Sequence, residues 1–261
     1  MNELIIRKRK WHATLFFIII IIATYLSSAI TNFNVLYGVA TLPAAISWII
    51  SNLVVTQESL ERLPSIIDKL VETIFMSIAA TTTAGVISIF LGLMGSKTTR
   101  INRTLSSFAR FIASVSRNIP VVAWALILLL SFGQNSVTGY LALFVGSIGF
   151  LTRVFTETID EASQDAVEAL RATGATYFHI VNKAVIPQCL PQVISWLLFM
   201  IETNIRSATL VGILTGTGIG YTFDLYYKTM NYNVVALVTF SIVLAVIMIE
   251  LVSNYIRKVI L

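Results

Sequence analysis

Charged side chains inside apolar segments are the residues of this sequence whose position most clearly indicates chemistry. Glu202 and Arg206 both lie in the apolar segment Leu190–Leu214, and their four-residue spacing brings opposite charges together on one face of a helix. A charged group at the centre of a membrane helix costs about 2.5–3.5 kcal/mol on insertion scales, which makes it a functional hypothesis by default. Asn204 lies between them in sequence and points to the opposite side of the helix.

Two interpretations of the Glu202–Arg206 pair remain open. The pair could neutralise itself and thereby stabilise or gate a bundle of helices. Alternatively, Arg206 could supply positive potential along an anion pathway while Glu202 restrains it, because a guanidinium fork matches the oxygens of a tetrahedral oxyanion. On either interpretation, Glu202, Asn204 and Arg206 are assigned to a translocation pathway or to its gate.

The remaining groups with chemical potential do not form a recognisable site. His12, His179 and Cys189 are too few and too scattered to form a metal-binding set. The run Gly95-Ser96-Lys97-Thr98 resembles the end of a phosphate-binding loop, but Lys97 does not follow a glycine and the run leaves a predicted membrane helix. We therefore predict no catalytic residue, no metal site and no nucleotide site in this chain.

The composition indicates a polytopic membrane protein. Of 261 residues, 56% are apolar and only 12% are charged, about half the charge of a typical soluble domain. A spanning helix needs about 20 predominantly apolar residues, and six segments approach that length. They are Ala13–Ile30, Ile74–Leu93, Ile119–Phe132, Tyr140–Phe155, Leu190–Leu214 and Val234–Tyr255. The predicted fold class is all-α, with about six transmembrane helices.

Three of the apolar segments need comment. Ile119–Phe132 is too short to span, and a helix that starts earlier and bends at Pro120 would repair the shortfall. Leu42–Val55 is also short and carries Trp48, which predicts a helix lying in the membrane interface. The first segment has the shape of a secretory signal, but its apolar block is longer than usual, which favours an uncleaved span.

The distribution of charge predicts the orientation. Six spans with a cytoplasmic N-terminus place most of the 18 Lys and Arg residues inside, as the positive-inside rule requires. Both termini are then cytoplasmic, and the basic cluster Arg7–Lys10 is an orientation signal rather than a nucleic-acid patch. The glycine-rich stretch with Gly216, Gly218 and Gly220 falls outside, where we expect an adaptable turn at the outer gate.

One long polar segment, Glu157–Pro187, lies between the fourth and fifth predicted spans. Apolar residues at helical spacing predict an amphipathic helix, Gly174 a break, and Pro187 the end of a second short helix. A mere connector needs only about 2–8 residues. Small side chains at Ala169, Gly174 and Ala175 would let another protein approach the backbone, so we predict a docking surface; a solvated loop without a partner is the alternative.

Two motifs resemble a known family. Glu168-Ala169-Leu170-Arg171-Ala172-Thr173-Gly174, with Pro187 further on, resembles the EAA motif of ABC-importer permeases. Glu202-Thr203-Asn204-Ile205-Arg206-Ser207, followed by Gly216-Thr217-Gly218-Ile219-Gly220, is similar to the phosphonate-type branch of these permeases. The similarity extends over roughly residues 66 to 258.

The resemblance implies a type I importer permease in the cell (inner) membrane, in which the EAA region couples to a cytoplasmic ATPase. That role passes to Glu168, Ala169 and Gly174, and we add Ala175 and Pro187 from the same segment. The implied partners are a second copy of the chain, an ATPase dimer that binds ATP and Mg, an extracytoplasmic solute-binding protein and membrane lipid, but no nucleic acid. The chain would divide into residues 1–66, a first span with an external interfacial segment, and 67–258, the permease core with its coupling loop at 157–187.

The leading hypothesis is therefore the permease subunit of an ATP-driven importer for phosphonate, phosphite or phosphate, working by alternating access. An ion-coupled secondary transporter with Glu202 as its titratable site is the alternative, although no inverted repeat is evident. A membrane-embedded phosphoryl enzyme would need clustered His, carboxylate or Ser groups, which the sequence does not show.

Overall fold

The computed structural model describes residues 2–162 and 164–260, and the side chains of 8–162 and 165–260. This part of the chain is helical and contains no strand. Its elements are α1 (Asn2–Thr31), α2 (Val35–Asn52), α3 (Gln57–Leu60), α4 (Leu63–Gly95), α5 (Arg103–Asn118), α6 (Val121–Phe132), α7 (Ser136–Ala162), α8 (Gln164–Ala172), α9 (Tyr177–Ile180), a π-helical turn (Val181–Val185), α10 (Ile186–Thr215), α11 (Gly218–Lys228) and α12 (Tyr232–Ile260). The predicted all-α class is confirmed.

Six described helical segments are long and apolar enough to cross a membrane: Lys8–Thr31, Val35–Asn52, Leu63–Gly95, Ser136–Ala162, Tyr177–Thr215 and Tyr232–Ile260. Five of them contain predicted spans. The sixth, α2, is longer than the predicted helix from Leu42, whereas its predicted place in the membrane interface stays a prediction. Asn34 caps α2 by accepting a hydrogen bond from the Tyr37 N–H at 3.0 Å, so the helix begins earlier and reaches 18 residues.

The chain divides into two compact units, residues 1–53 and 54–261. The first contains α1 and α2, whose large apolar side chains are exposed along their whole described length; Phe17, for example, is 63% exposed and Leu36 is 83% exposed. Helices that expose apolar side chains on every face need a non-aqueous surrounding. This unit therefore has the surface of a lipid-embedded helix pair.

The second unit is built around α4, α7 and α10, which contact one another. Phe155 and Leu151 of α7 are fully buried and pack with Ala84 of α4 and Met200 of α10. Small residues on α4 allow this close approach of long helices. The core therefore holds together the helices that carry the predicted charge pair and the polar segment after α7.

The third predicted span is broken rather than gently bent. α5 ends at Asn118 and α6 begins at Val121, and their axes differ by 94°. The predicted change of direction at Pro120 is confirmed, but the predicted single bent helix is wrong, because α5 and α6 are separate helices and α5 does not extend the span in the direction of α6. Its sequence explains this, because Ala109 and Ala113 are buried whereas Phe108 and Phe111 are exposed, the pattern of a helix packed along one face only.

Candidate functional site

The coupling segment, defined as residues 157–187, contains the predicted pair of short helices. Val167 of α8 is fully buried against a core cluster that includes Ile180 and Val185, which fixes α8 on the rest of the chain. Glu168 and Ala169, the next two residues of α8, are exposed. Residue 163, between α7 and α8, lies outside the described part.

Gly174 forms the turn after α8. Its φ of +78° lies in the left-handed region, which glycine adopts without strain. The Ala175 N–H donates to the Leu170 carbonyl at 3.1 Å, which satisfies the end of the helix. Gly174 is exposed and Ala175 is half-buried, so the predicted helix–glycine–helix surface is present.

The sequence predicts that the second short helix ends at Pro187, and this prediction is wrong. The chain passes through the π-helical turn into α10, and Tyr177–Thr215 is one run of 39 residues. In the wider turn the Ile186 N–H donates to the Val181 carbonyl, and Pro187 then occupies the first turn of α10. A proline lacks an N–H and crowds the carbonyl four residues before it, which explains why the turn widens at this place.

The coupling segment is tied to the turn between α4 and α5. The Arg171 guanidinium donates to the Thr98 carbonyl oxygen at 2.5 Å. The Asp160 carboxylate accepts hydrogen bonds from Ser96 Oγ at 2.6 Å and from the Thr98 N–H at 3.0 Å. Sequence reasoning missed these contacts, because they join positions more than 60 residues apart. They link α7 and α8 to the end of α4.

The predicted pair of charges within α10 is confirmed and extended. Arg206 Nη2 lies 2.9 Å from Glu202 Oε1. Glu202 is buried, with 8% of its surface exposed, and its second oxygen lies 3.4 Å from Arg257 Nη2 in the last turn of α12. Arg257 Nε is buried without a hydrogen-bond partner. No sequence pattern indicates that Arg257 of α12 reaches Glu202 of α10.

The two arginines differ in exposure. The Arg206 side chain is 49% exposed, whereas that of Arg257 is 26% exposed. Glu202 therefore fixes the Arg257 guanidinium within the helix packing and restrains the Arg206 guanidinium at a surface. Arg206 retains donors that can reach an anion outside the pair.

Asn204 lies on the opposite side of α10, as predicted, and it joins three helices. It is 2% exposed, and its Nδ2 donates to Thr81 Oγ1 of α4 at 2.8 Å and to Ser147 Oγ of α7 at 2.7 Å. The structure therefore separates Asn204 from the two arginines. These contacts suit a residue that holds α4, α7 and α10 together better than a residue that lines a transport pathway.

The glycine-rich turn between α10 and α11 is tightly packed, and its role as an adaptable turn at the outer gate stays a prediction. Gly216 and Gly218 have φ values of +70° and +59°. A Cβ placed on Gly220 would lie 2.0 Å from the Thr209 carbonyl oxygen. The Ile219 N–H donates to Thr73 Oγ1 at 2.9 Å, which fastens the turn to α4.

Comparison with known proteins gives consistent relatives. Residues 84–260 match the family model described as "Binding-protein-dependent transport system inner membrane component". The phosphite transport system permease protein PtxC of Stutzerimonas stutzeri is 30% identical over 72% of this chain and 69% of its own length. The phosphate-import permease protein PhnE of Mycolicibacterium smegmatis is 28% identical over 72% of this chain, but that match covers only 35% of the longer relative.

Solved structures show the same fold. A chain of the MetNI methionine ABC transporter in an inward-facing conformation superposes with a TM-score of 0.67 at 23% identity, covering 75% of this chain and 96% of that one. A chain of an amino acid ABC transporter crystallised with histidines gives a TM-score of 0.66 at 17% identity, covering 76% of this chain and 95% of that one. At such identities the likeness concerns the fold alone.

Proposed function

Because this chain belongs to the family of binding-protein-dependent transport system inner membrane components, we propose that it is the permease subunit of an ATP-driven importer for phosphorus oxyanions. The relatives named above are permeases for phosphite and for phosphate, which supports a cargo of this class. Phosphonate is likewise a tetrahedral phosphorus oxyanion. We place the coupling segment and both termini on the cytoplasmic side of the cell membrane.

The observation that carries the proposal is the exposed helix–glycine–helix surface and its attachment to the membrane helices. Glu168, Ala169 and Gly174 are free to receive another protein, whereas Arg171 and Asp160 fasten the same segment to the end of α4. Force applied at this surface therefore reaches α4 and α7 directly and reaches α10 through the continuous run from Tyr177. The partner would be an ATPase that binds ATP and Mg, and closure of an ATPase dimer would drive alternating access.

The charge cluster supplies the anion side of the mechanism. Arg206, half-exposed and restrained by Glu202, would attract the oxyanion as it passes without holding it permanently. Selection of the cargo would rest with an extracytoplasmic solute-binding protein. Two copies of the chain would form the pathway, with Asn204 and the packed turn at Gly216–Gly220 keeping the helices in register.

The proposal can be tested in proteoliposomes that contain this chain together with an ABC ATPase and a solute-binding protein from the same organism. We expect uptake of labelled phosphite or phosphate to require ATP and the binding protein. The variant Gly174→Trp is expected to lower uptake at least about tenfold by obstructing the docking surface. Gly133→Trp is the matched control, because Gly133 has a similar φ of +72°, and both positions have open space around an added Cβ.

Two results would contradict the proposal. Uptake that follows the proton gradient and survives ATP depletion would identify a secondary transporter. The second is an equal loss of uptake in Gly174→Trp and Gly133→Trp while both proteins stay monodisperse. Backbone strain at a positive φ would then explain both losses, and the coupling segment would have no special role.

A further inference from the structure

A basic pocket of about 340 Å³ lies between the α4–α5 turn, α5 and α7, on the side of the core that carries the coupling segment. Its charged lining consists of four cationic and two acidic side chains: Lys97, Arg110, Arg117, Arg153, Glu157 and Asp160. Neither the coupling role nor the charge cluster on α10 uses its cations. The proposed transport function therefore does not explain why four cations line this pocket.

Both carboxylates in the pocket already have partners. Glu157 Oε1 lies 2.8 Å from Arg153 Nε, so these two charges neutralise each other. Asp160 accepts hydrogen bonds from Ser96 and Thr98 at the end of α4. The donors to Asp160 are neutral and leave its charge in place, so four cations against two carboxylates give the pocket a net charge of about +2.

Two cations are held in place but retain donors. Arg110 donates through Nε and Nη2 to the Gly95 carbonyl at 2.9 and 2.7 Å, which leaves three of its five N–H groups. The backbone N of Arg117 lies so close to α7 that a Cβ on Gly149 would be 2.5 Å from it. Among the described residues, neither Arg117 nor Lys97 makes an ion pair or a side-chain hydrogen bond.

We propose that this basic pocket binds a tetrahedral phosphorus oxyanion. Guanidinium groups bind such anions through paired, charge-assisted hydrogen bonds, and Lys97 adds a point charge. The volume exceeds that of a bare phosphate and falls in the range of small-ligand sites, so it also accommodates an ester substituent or water. The same chemistry is offered by an anionic phospholipid headgroup and by free phosphate or phosphite.

The surface beside the pocket supports a phospholipid headgroup as one of the two possible ligands. Phe108 and Phe111 on α5 are 57% and 65% exposed, next to a helix face that carries Arg110 and Arg117. Apolar side chains beside arginines on one amphipathic helix are typical of contact with a membrane interface. Such a helix would place acyl chains and headgroup phosphate within reach of the same pocket.

The test measures binding by the purified chain in maltoside detergent, which contains no phosphate. One arm titrates ³²P-labelled inorganic phosphate by equilibrium dialysis, and the other counts phosphatidylglycerol adducts by native mass spectrometry. The variant pair Lys97→Gln and Arg117→Gln is expected to weaken binding at least about tenfold in one or both arms. Arg103→Gln is the matched control, because Arg103 lies on the same helix but does not line the pocket, and it should change binding less than about twofold.

Each outcome decides the question. If the double variant loses binding in the lipid arm alone, the pocket is a headgroup site. If it loses binding in the phosphate arm alone, the pocket is a free-anion site, and loss of binding in both arms identifies a site that both ligands share. If the double variant binds as the parent does in both arms, or if Arg103→Gln loses as much, the proposal is wrong. An Arg117→Lys variant that restores part of the binding guards against misfolding. Because no ATPase or uptake enters these measurements, their result is independent of the proposed transport function.

Discussion

Removal of the Glu202 carboxylate should destabilise the protein through Arg257 more than through Arg206. In Glu202→Gln the side-chain volume and one acceptor oxygen are kept, and only the charge is lost. Arg257 then remains largely buried opposite a neutral amide, with its Nε still unpartnered. Arg206 is half-exposed, so water can replace its lost partner.

The structure sets the expected magnitude. Arg257 Nη2 and Glu202 Oε2 are 3.4 Å apart. At an effective dielectric constant of about 20, two unit charges at that separation attract by about 5 kcal/mol. Desolvation of the two groups offsets much of this attraction, so we expect a net loss of about 2 kcal/mol of unfolding free energy in Glu202→Gln. Arg206→Gln should cost less than about 1 kcal/mol, as exposed pairs usually do.

The assay is thermal unfolding in detergent, followed by the fraction that stays monodisperse on size exclusion. For a chain of this size, about 2 kcal/mol corresponds to a midpoint lower by roughly 4–8 °C. The double variant Glu202→Gln/Arg257→Gln should be less destabilised than the sum of the single variants, because the charges interact. Effects that add to within about 0.5 kcal/mol would refute the reasoning, since they would show that the two groups do not interact.

Three further predictions concern other parts of the core. Asn204→Leu should lower the unfolding free energy by about 1–3 kcal/mol, because two buried hydroxyls lose their donor; an unchanged thermal midpoint would contradict this. Gly220→Ala should abolish monodisperse expression, since its Cβ would overlap a backbone carbonyl of α10, whereas Gly146→Ala, with its nearest neighbour at 3.5 Å, should express normally. Arg171→Gln should leave the thermal midpoint within about 2 °C, because the residue is exposed, but should raise the ATP hydrolysed per oxyanion transported severalfold; an unchanged ratio would show that its bond to Thr98 does not transmit force.

Local spacing accounts for what the sequence could predict. Glu202 and Arg206 lie one helical turn apart, so their contact depends only on α10 being a helix. The turn at Gly174 follows in the same way from a residue that tolerates positive φ. The membrane class follows from composition, because the apolar segments are too long and too numerous for a soluble domain.

Long-range contacts account for what the sequence could not predict. Arg257 reaches Glu202 across 55 positions, and Arg171 reaches Thr98 across 73, and neither pairing leaves a periodic pattern. Pro187 was interpreted as a helix stop because the π-helical turn that accommodates it has no clear sequence signature. The angle of 94° at Pro120 depends on the packing of α5 against α7, which the proline alone does not determine. The roles of the coupling and pathway residues stay predictions.

The unbroken run Tyr177–Thr215 has a mechanical consequence. Glu202 lies 25 residues beyond Tyr177, which is about 38 Å along a helix at about 1.5 Å per residue. Over that length a tilt of about 10° displaces the far end by about 6–7 Å. We expect the run to tilt about the part of its length that the bilayer surrounds. The rate of transport should therefore depend on acyl-chain length, since a thicker or thinner bilayer would move that pivot.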